Sequence, residues 1–439
     1  MFDYRIVKVL EVGQNGGEWL KFADVDGDGQ KEIVWRQSGG MFDSDAYKTS
    51  GHGYITDENQ YLLQLTCMKQ DGRILWQRGK PWTQERPYNT HGGNQMTAIR
   101  DINGDGRLEL VYIFRGELHM LDAATGAHLR SIPLITDAIS IIGFQGLGAA
   151  GCNIILKSIG TSPYGYGRPL LAYDADLNLL WQDTTGGNGH ALVFRDVDGD
   201  GKDEILEGYR LIDDDGRVLW SHEWPSHADH IAVQDLDGDG VEEVVYCTDN
   251  EDFIIVNGRG EMLLHRTDFP HPQTTSIGRF VAGEPGYQIF MNNRATHGGA
   301  VMMDCHGRTL WDFPCNGYSE TLPNPEPGGL DLILHKPGPG RLPAAIETAL
   351  VQRAAELGYE GLPIQGNAGF EPFILDGEGR VLYTFPFLEA SLDVTRWGID
   401  PRLKMDHGAG FGLTIDDVDG DGVDEFVFAN RWKAWFLKR

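Results

Sequence analysis

Short apolar runs, each bounded by Gly, Asp or Asn, recur along the whole chain and rarely reach helical length. Ile33-Val34-Trp35, Leu110-Val111-Tyr112 and Phe426-Val427-Phe428 are examples, and each directly follows an acidic loop of one fixed pattern. Five loops share it: Asp24, Asp26, Asp28 and Glu32; Asp101, Asn103, Asp105 and Glu109; Asp196, Asp198, Asp200 and Glu204; Asp235, Asp237, Asp239 and Glu243; Asp417, Asp419, Asp421 and Glu425. A second signature alternates with the first, a Gly turn followed by a strand, as in Gly72-Arg73-Ile74-Leu75-Trp76, Gly216-Arg217-Val218-Leu219-Trp220, Gly307-Arg308-Thr309-Leu310-Trp311 and Gly379-Arg380-Val381-Leu382-Tyr383. Looser copies stand near Gly126, Asn178 and Gly260. Repeated units of four short strands, about 40 to 45 residues each, are the mark of a propeller blade.

Pairing the two signatures predicts the architecture. With the strands of a blade lettered A to D, the acidic loop joins A to B and the Gly turn joins C to D. Degenerate A–B loops near 143–151, 278–286 and 325–329 bring the count to eight units with seven C–D turns. The deficit falls in the last unit, and the alternating N-terminal segment, Phe2 to Val9, supplies its D strand. The expectation is an all-β, eight-bladed β-propeller over 1–439, closed by its two ends in one blade; seven blades follow if a degenerate unit is an insertion. One helix-prone stretch, Pro343 to Leu357, predicts a helical insertion at about 336–368 in the seventh blade.

Composition narrows the function. The 439 residues include 37 Lys or Arg and 65 Asp or Glu, a formal charge of −28, which disfavours nucleic acid and anionic membranes as partners. Yet 41% of residues are hydrophobic and 23% charged, so the acidity does not imply disorder. No run of about 18 apolar residues occurs. The N-terminus lacks a signal-peptide core, so the expected location is cytoplasmic if Met1 is the native start and extracellular if a signal was removed. The five cysteines are odd in number and form no CxxC pair, which argues against a disulfide or zinc framework.

The acidic loops gather hard oxygens at positions 1, 3, 5 and 9, and their glycines allow the tight turn, a donor set suited to calcium. A strand follows where an EF-hand has a helix, and position 12 lacks Glu. An Asp-Gly turn that needs no ion is the alternative. On the opposite rim, histidines precede several A strands: His91, His190, His227 with His230, His271 and His407. The B–C connections of that rim add Arg36, Arg115, Tyr164, Tyr166, Arg168, Tyr209, Arg210, Arg294 and His297. Arg, His and Tyr concentrated on one face of an acidic protein point to an anionic ligand.

The Asp-x-Asp-Gly-Asp-Gly loops before short strands resemble the calcium-binding repeats of integrin-type and rhamnogalacturonan-lyase-type propellers. Histidines before A strands, with Tyr and Arg from B–C loops, are similar to the propeller polysaccharide lyases, including ulvan lyases and rhamnose–glucuronate lyases. The resemblance implies β-elimination at a uronic acid in a rhamnose- and uronate-containing glycan. It implies His91 at the start of an A strand, with Tyr164 or Tyr166 and Arg168 one blade later. A second His is expected where this chain has Tyr112 and Arg115. Eight blades favour the rhamnogalacturonan-lyase architecture over the seven of the other two families. The expected roles are Arg168 and Arg115 as carboxylate clamps, His91 or His190 as base or neutraliser, and Tyr164 or Tyr166 as acid or base. His230, His271, Arg294, His297, His407 and Arg210 are expected to bind substrate, and the ions to be structural calcium. Two rivals stand beside this reading: a non-catalytic propeller binding a glycan or a protein, and a hydrolase using Asp229, Asp249, Glu251 or Asp252.

Overall fold

Each B strand is apolar on both faces, so it must be covered on both sides. In the computed structural model Leu110 of blade 2 packs into a cluster shared with blade 1, and the next residue, Val111, into one shared with blade 3. The structure describes residues 4–13, 15–16, 19–38, 62–79, 96–114, 116–158, 161–294, 298–315, 317–324, 328–337, 372–385, 412–429 and 433–439. Eight four-stranded antiparallel sheets form the ring. Blades 1 to 7 span 19–79, 97–133, 141–183, 192–221, 228–266, 272–313 and 317–384, and the strands of each pair in chain order. Blade 8 consists of Gly412–Asp416, Glu425–Ala429, Lys433–Lys438 and the N-terminal Arg5–Glu11. The chain ends therefore close the ring, with Val9 opposite Trp435 and Leu10 opposite Ala434. The seven-blade alternative is set aside.

Eight apolar clusters lie one between each pair of neighbouring blades. A strands of adjacent blades touch, as in blades 4 and 5 or 5 and 6, so they form the inner wall. D strands form the outer rim and leave residues such as Leu180 and Leu263 exposed. The Gly-turn signature has a direct packing cause. The D-strand Trp76 donates from Nε1 to Ala123 O of the next blade at 2.8 Å, and Trp220 and Trp311 repeat this with Gly258 O and Gly377 O at 2.9 Å each. A Cβ on Gly126, whose φ is +67°, would stand 2.6 Å from the Trp76 ring, so the turn needs glycine.

The helix-prone segment lies outside the described residues beyond 337; residues 332–337 are strand B of blade 7. Among the described residues no helix is long and apolar enough to cross a membrane. Phe436 is 1% exposed in the cluster between blades 8 and 1. Phe436→Ala is expected to cost about 3–5 kcal/mol; urea denaturation reads it, and a loss under 1 kcal/mol would count against this closure.

Candidate functional site

The A–B loops and C–D turns occupy one rim of the ring, and the D–A and B–C connections the other. On the second rim the A strand of blade 5, Ala228–Gln234, starts irregularly. Ala228 pairs with Thr248 and His230 with Cys247, so Asp229 is an extra residue and the strand bulges. A bulge redirects side chains. Here Asp229 becomes a hub whose side chain is 4% exposed. Its Oδ1 lies 2.9 Å from His227 Nε2 and 3.5 Å from His190 Nε2, and its Oδ2 lies 3.1 Å from His271 Nε2. His227 Nδ1 reaches Asp249 Oδ2 at 2.7 Å.

His190 comes from the connection into blade 4 and is fixed by blade 5, because its N–H donates to Ala228 O at 3.0 Å. Gly189 makes that approach feasible: its φ is +140° and a Cβ would stand 2.4 Å from Ala228 O. Tyr166 comes from a small hairpin, Thr161–Ser162 paired with Gly165–Tyr166, inserted between strands B and C of blade 3. Its hydroxyl is 2.8 Å from His190 Nε2, and its ring centroid is 5.0 Å from that of His227. The same hairpin leads into Arg168, whose Nε donates to Gly187 O at 3.2 Å. Below it Lys157, fully buried, donates to Gly167 O at 2.7 Å and pairs with Glu207. Glu207 also holds Arg210 at 2.6 Å, and Arg210 pairs with Asp183 at 2.5 Å. Four charges thus brace the base of the hairpin.

The electrostatics follow from this crowding. Burial disfavours the charged form of His227, but hydrogen bonds and attraction from Asp229 and Asp249 outweigh it and push its pKa up to about 9. Asp229 is held well below the carboxylate range by His227 and His271, although burial works the other way. At neutral pH His227 is an imidazolium beside an ionised Asp229. Both ring nitrogens of His227 then donate to carboxylates. His190, His227 and Asp229 also bring ligand atoms within 4.8 Å of one another, a spacing that could hold a metal ion. While His227 keeps both protons it offers such an ion no lone pair.

Because the folded pKa of His227 is raised above its ordinary 6.5, its stabilisation is complete below that pH and is lost as pH rises through about 9. The loss is expected to be on the order of 2 kcal/mol after solvent screening. Urea midpoints at both pH values, compared with His227→Gln, measure it; an equal pH dependence in the variant would contradict the assignment.

Of the residues singled out by the sequence, His190, Tyr166 and His271 meet at this cluster, and Arg168 follows Tyr166 by two residues with its guanidinium on Gly187 O. Tyr164 sits in the hairpin turn, is 36% exposed, and donates its backbone N–H to Ser162 Oγ at 3.0 Å. His230 is enclosed by protein, with part of its surface still accessible; its Nδ1 turns to Thr275 Oγ1 at 3.2 Å, and burial pushes its pKa down to about 4. Arg210 is buried in the ion pairs described above. Arg294 donates from its backbone N–H to His271 O at 2.8 Å. His91, Arg115, His297 and His407 lie outside the described residues. Sequence reasoning gave no role to His227 and named Asp229 only for hydrolysis; the motif His-x-Asp at the start of an A strand was the available signal.

The acidic loops occupy the opposite rim. In each, the position-9 Glu uses one oxygen to accept the N–H of position 2, at 2.7–2.9 Å. In Glu32, Glu204 and Glu425 the carboxylate also converges with the loop aspartates. Glu204 Oε1 is buried without a hydrogen-bond partner, and burial pushes the Glu204 and Glu243 carboxyls up to about 7. Ligand oxygens converge within 4.8 Å at Asp24, Asp26 and Glu32, at Asp196, Asp198 and Glu204, at Asp235, Asp237 and Asp239, and at Asp417, Asp419 and Glu425. Several acidic clusters could therefore hold metal ions.

Comparison with known proteins adds a short sequence match and a long structural one. Residues 170–237 match the model of the rhamnogalacturonan lyase family 11 C-terminal domain, a segment that contains His190, His227 and Asp229. No curated protein matches the chain in sequence. The fold is similar to that of the exotype rhamnogalacturonan lyase YesX, with a TM-score of 0.62 and 15% identity over 99% of this chain and 72% of that one. A rhamnogalacturonan lyase of Bacillus licheniformis gives the same TM-score, identity and coverage. The V. cholerae biofilm matrix protein Bap1 is similar at a TM-score of 0.51 and 11% identity, over 96% of this chain and 90% of that one. The chain thus resembles the propeller polysaccharide lyases, in fold throughout and in sequence over one short segment.

Proposed function

We propose that the protein is a polysaccharide lyase that cleaves a rhamnose- and uronate-containing glycan by β-elimination, with Tyr166, His190, His227 and Asp229 at its reaction centre. The observation that carries this reading is a tyrosine hydroxyl 2.8 Å from one imidazole and beside a second imidazole kept charged by two carboxylates. The C5 proton of a uronate is removable only once its carboxylate charge is neutralised. Imidazolium His227 and the Arg168 guanidinium supply that charge. Tyr166 passes its proton to His190 Nε2 and takes the C5 proton; the C5–H electron pair forms the C4=C5 bond as the C4–O4 bond breaks. His190 returns the proton to the leaving O4. Asp229 stays ionised throughout and fixes the imidazoles.

Where an acidic loop holds an ion, the proposed ion is calcium, which favours several hard oxygens. Its role is structural, because the loops stand on the rim opposite Tyr166 and His190. Elimination products are lighter than hydrolysis products by one water, so mass spectrometry of digests of rhamnogalacturonan, ulvan and rhamnosyl-glucuronate glycans tests the reading. The expected result is unsaturated ends. Products carrying the added water would favour the hydrolase, and salt-sensitive binding without products the non-catalytic propeller.

A further inference from the structure

The five acidic loops are alike in sequence but differ in what stands opposite them. The position-9 Glu stands across strands B and C from the residue at the end of strand C or directly after it, as Glu109 pairs with Asp122 and Glu243 with Asn257. In seven blades that residue opens the C–D turn, its N–H bonding to a carbonyl beyond the turn: Lys69, Asp122, Asp174, Asp213, Asn257, Asp304 and Asp376. Six are Asp or Asn, and their side chains bond within their own turn, as Asp122 Oδ1 does to Thr125 N and Asp376 Oδ1 to Arg380 N. Lys69 breaks the pattern. Its side chain reaches into the acidic loop of blade 1, where Nζ lies 2.7 Å from Asp26, 2.8 Å from Asp28 and 2.6 Å from Glu32 Oε1. In blade 8 the position opposite Glu425 is Lys438, whose Nζ lies 3.0 Å from Asp419, 2.8 Å from Asp421 and 2.5 Å from Glu425 Oε1.

We infer that blades 1 and 8 carry their own cation, an ammonium set where blades 4 and 5 take a divalent ion, so that ring closure does not depend on metal. The inference rests on the calcium reading above. The contrast with blade 4 supports it: Glu32 Oε1, Glu425 Oε1 and Glu204 Oε1 are all buried without a hydrogen bond, but the first two have an ammonium at 2.6 and 2.5 Å, whereas among the described residues Glu204, 1% exposed, has none and Asp213 opposite it is turned to Arg217. Three carboxylates around one ammonium satisfy the loop without an external ion, and a calcium ion there would have to displace a lysine that is 13% exposed. Blades 1 and 8 are neighbours at the closure. Lys31 of blade 1 pairs with Asp416 of blade 8 at 2.6 Å, and Gln70 donates to Lys31 O at 3.1 Å and also to Val418 O. The permanent ammonium groups thus sit where the ring is completed.

The test is calcium stoichiometry of the full chain, stripped with chelator and titrated with calcium chloride, by calorimetry and atomic emission. Asp198→Ala in blade 4 is expected to lose one ion per chain relative to the wild type, Asp26→Ala in blade 1 to lose none, and Lys69→Met to gain one. If Asp26→Ala loses an ion as Asp198→Ala does, or if folded Lys69→Met gains none, calcium binding stands and the lysine assignment is overturned. A wild-type chain that binds no calcium overturns the calcium reading and this inference with it. Should Lys69→Met fail to fold, the pair of aspartate variants decides the matter.

Discussion

Tyr166→Phe is expected to lower turnover of the glycan substrate by about 10²–10⁴-fold, the usual contribution of one positioned acid–base group. The ring remains, and with it the contacts to His190 and His227, so stability and KM should change little. Only the hydroxyl 2.8 Å from His190 Nε2 is lost. His190→Gln should give a loss of similar size, and the double variant little more than either, because the two residues handle one proton between them. Tyr164→Phe is the control: that side chain lies in the hairpin turn and should leave turnover within about two-fold of the wild type. Steady-state rates of unsaturated-product formation read all four. Full activity in Tyr166→Phe would remove the tyrosine from the mechanism.

Asp229→Ala is expected to lose both activity and stability. The carboxylate is 4% exposed and touches three imidazoles, one of them charged. Removing one partner of a buried pair leaves the other charge uncompensated, at a cost of about 3–5 kcal/mol. The His227 pKa should fall, and the stability lost between pH 6.5 and 9 in the wild type should shrink. Urea denaturation at the two pH values measures both effects. A loss below 1 kcal/mol with an unchanged pH dependence would show that Asp229 does not hold the cluster.

The fold was readable from the chain because its two signatures have strict structural causes. The acidic loop needs glycines at its turns, and the Gly turn needs room for the indole of the preceding blade. The missing eighth C–D turn pointed to the N-terminal strand, which does pair with Lys433–Lys438. The site was less readable. From the sequence, His230 is expected to bind substrate with the other histidines that precede A strands. In the structure Asp229 is the extra residue of a bulge and meets His227, while His230 turns to Thr275, and a bulge of this kind leaves no mark in composition or spacing. The Lys69 and Lys438 ammonium groups were hidden for a related reason: their loops carry the same Asp and Glu positions as those of blades 4 and 5, and the lysines are opposite them only once strand register is known.

The most direct test of the central claim is the ultraviolet absorbance of the unsaturated uronate, followed while the wild type and Tyr166→Phe each act on a panel of uronate-containing glycans. A steady rise is expected with the wild type on at least one rhamnose- and uronate-containing glycan, and a rise at least about 100-fold slower with Tyr166→Phe. No rise on any member of the panel, or equal rises for the two proteins, would contradict that claim.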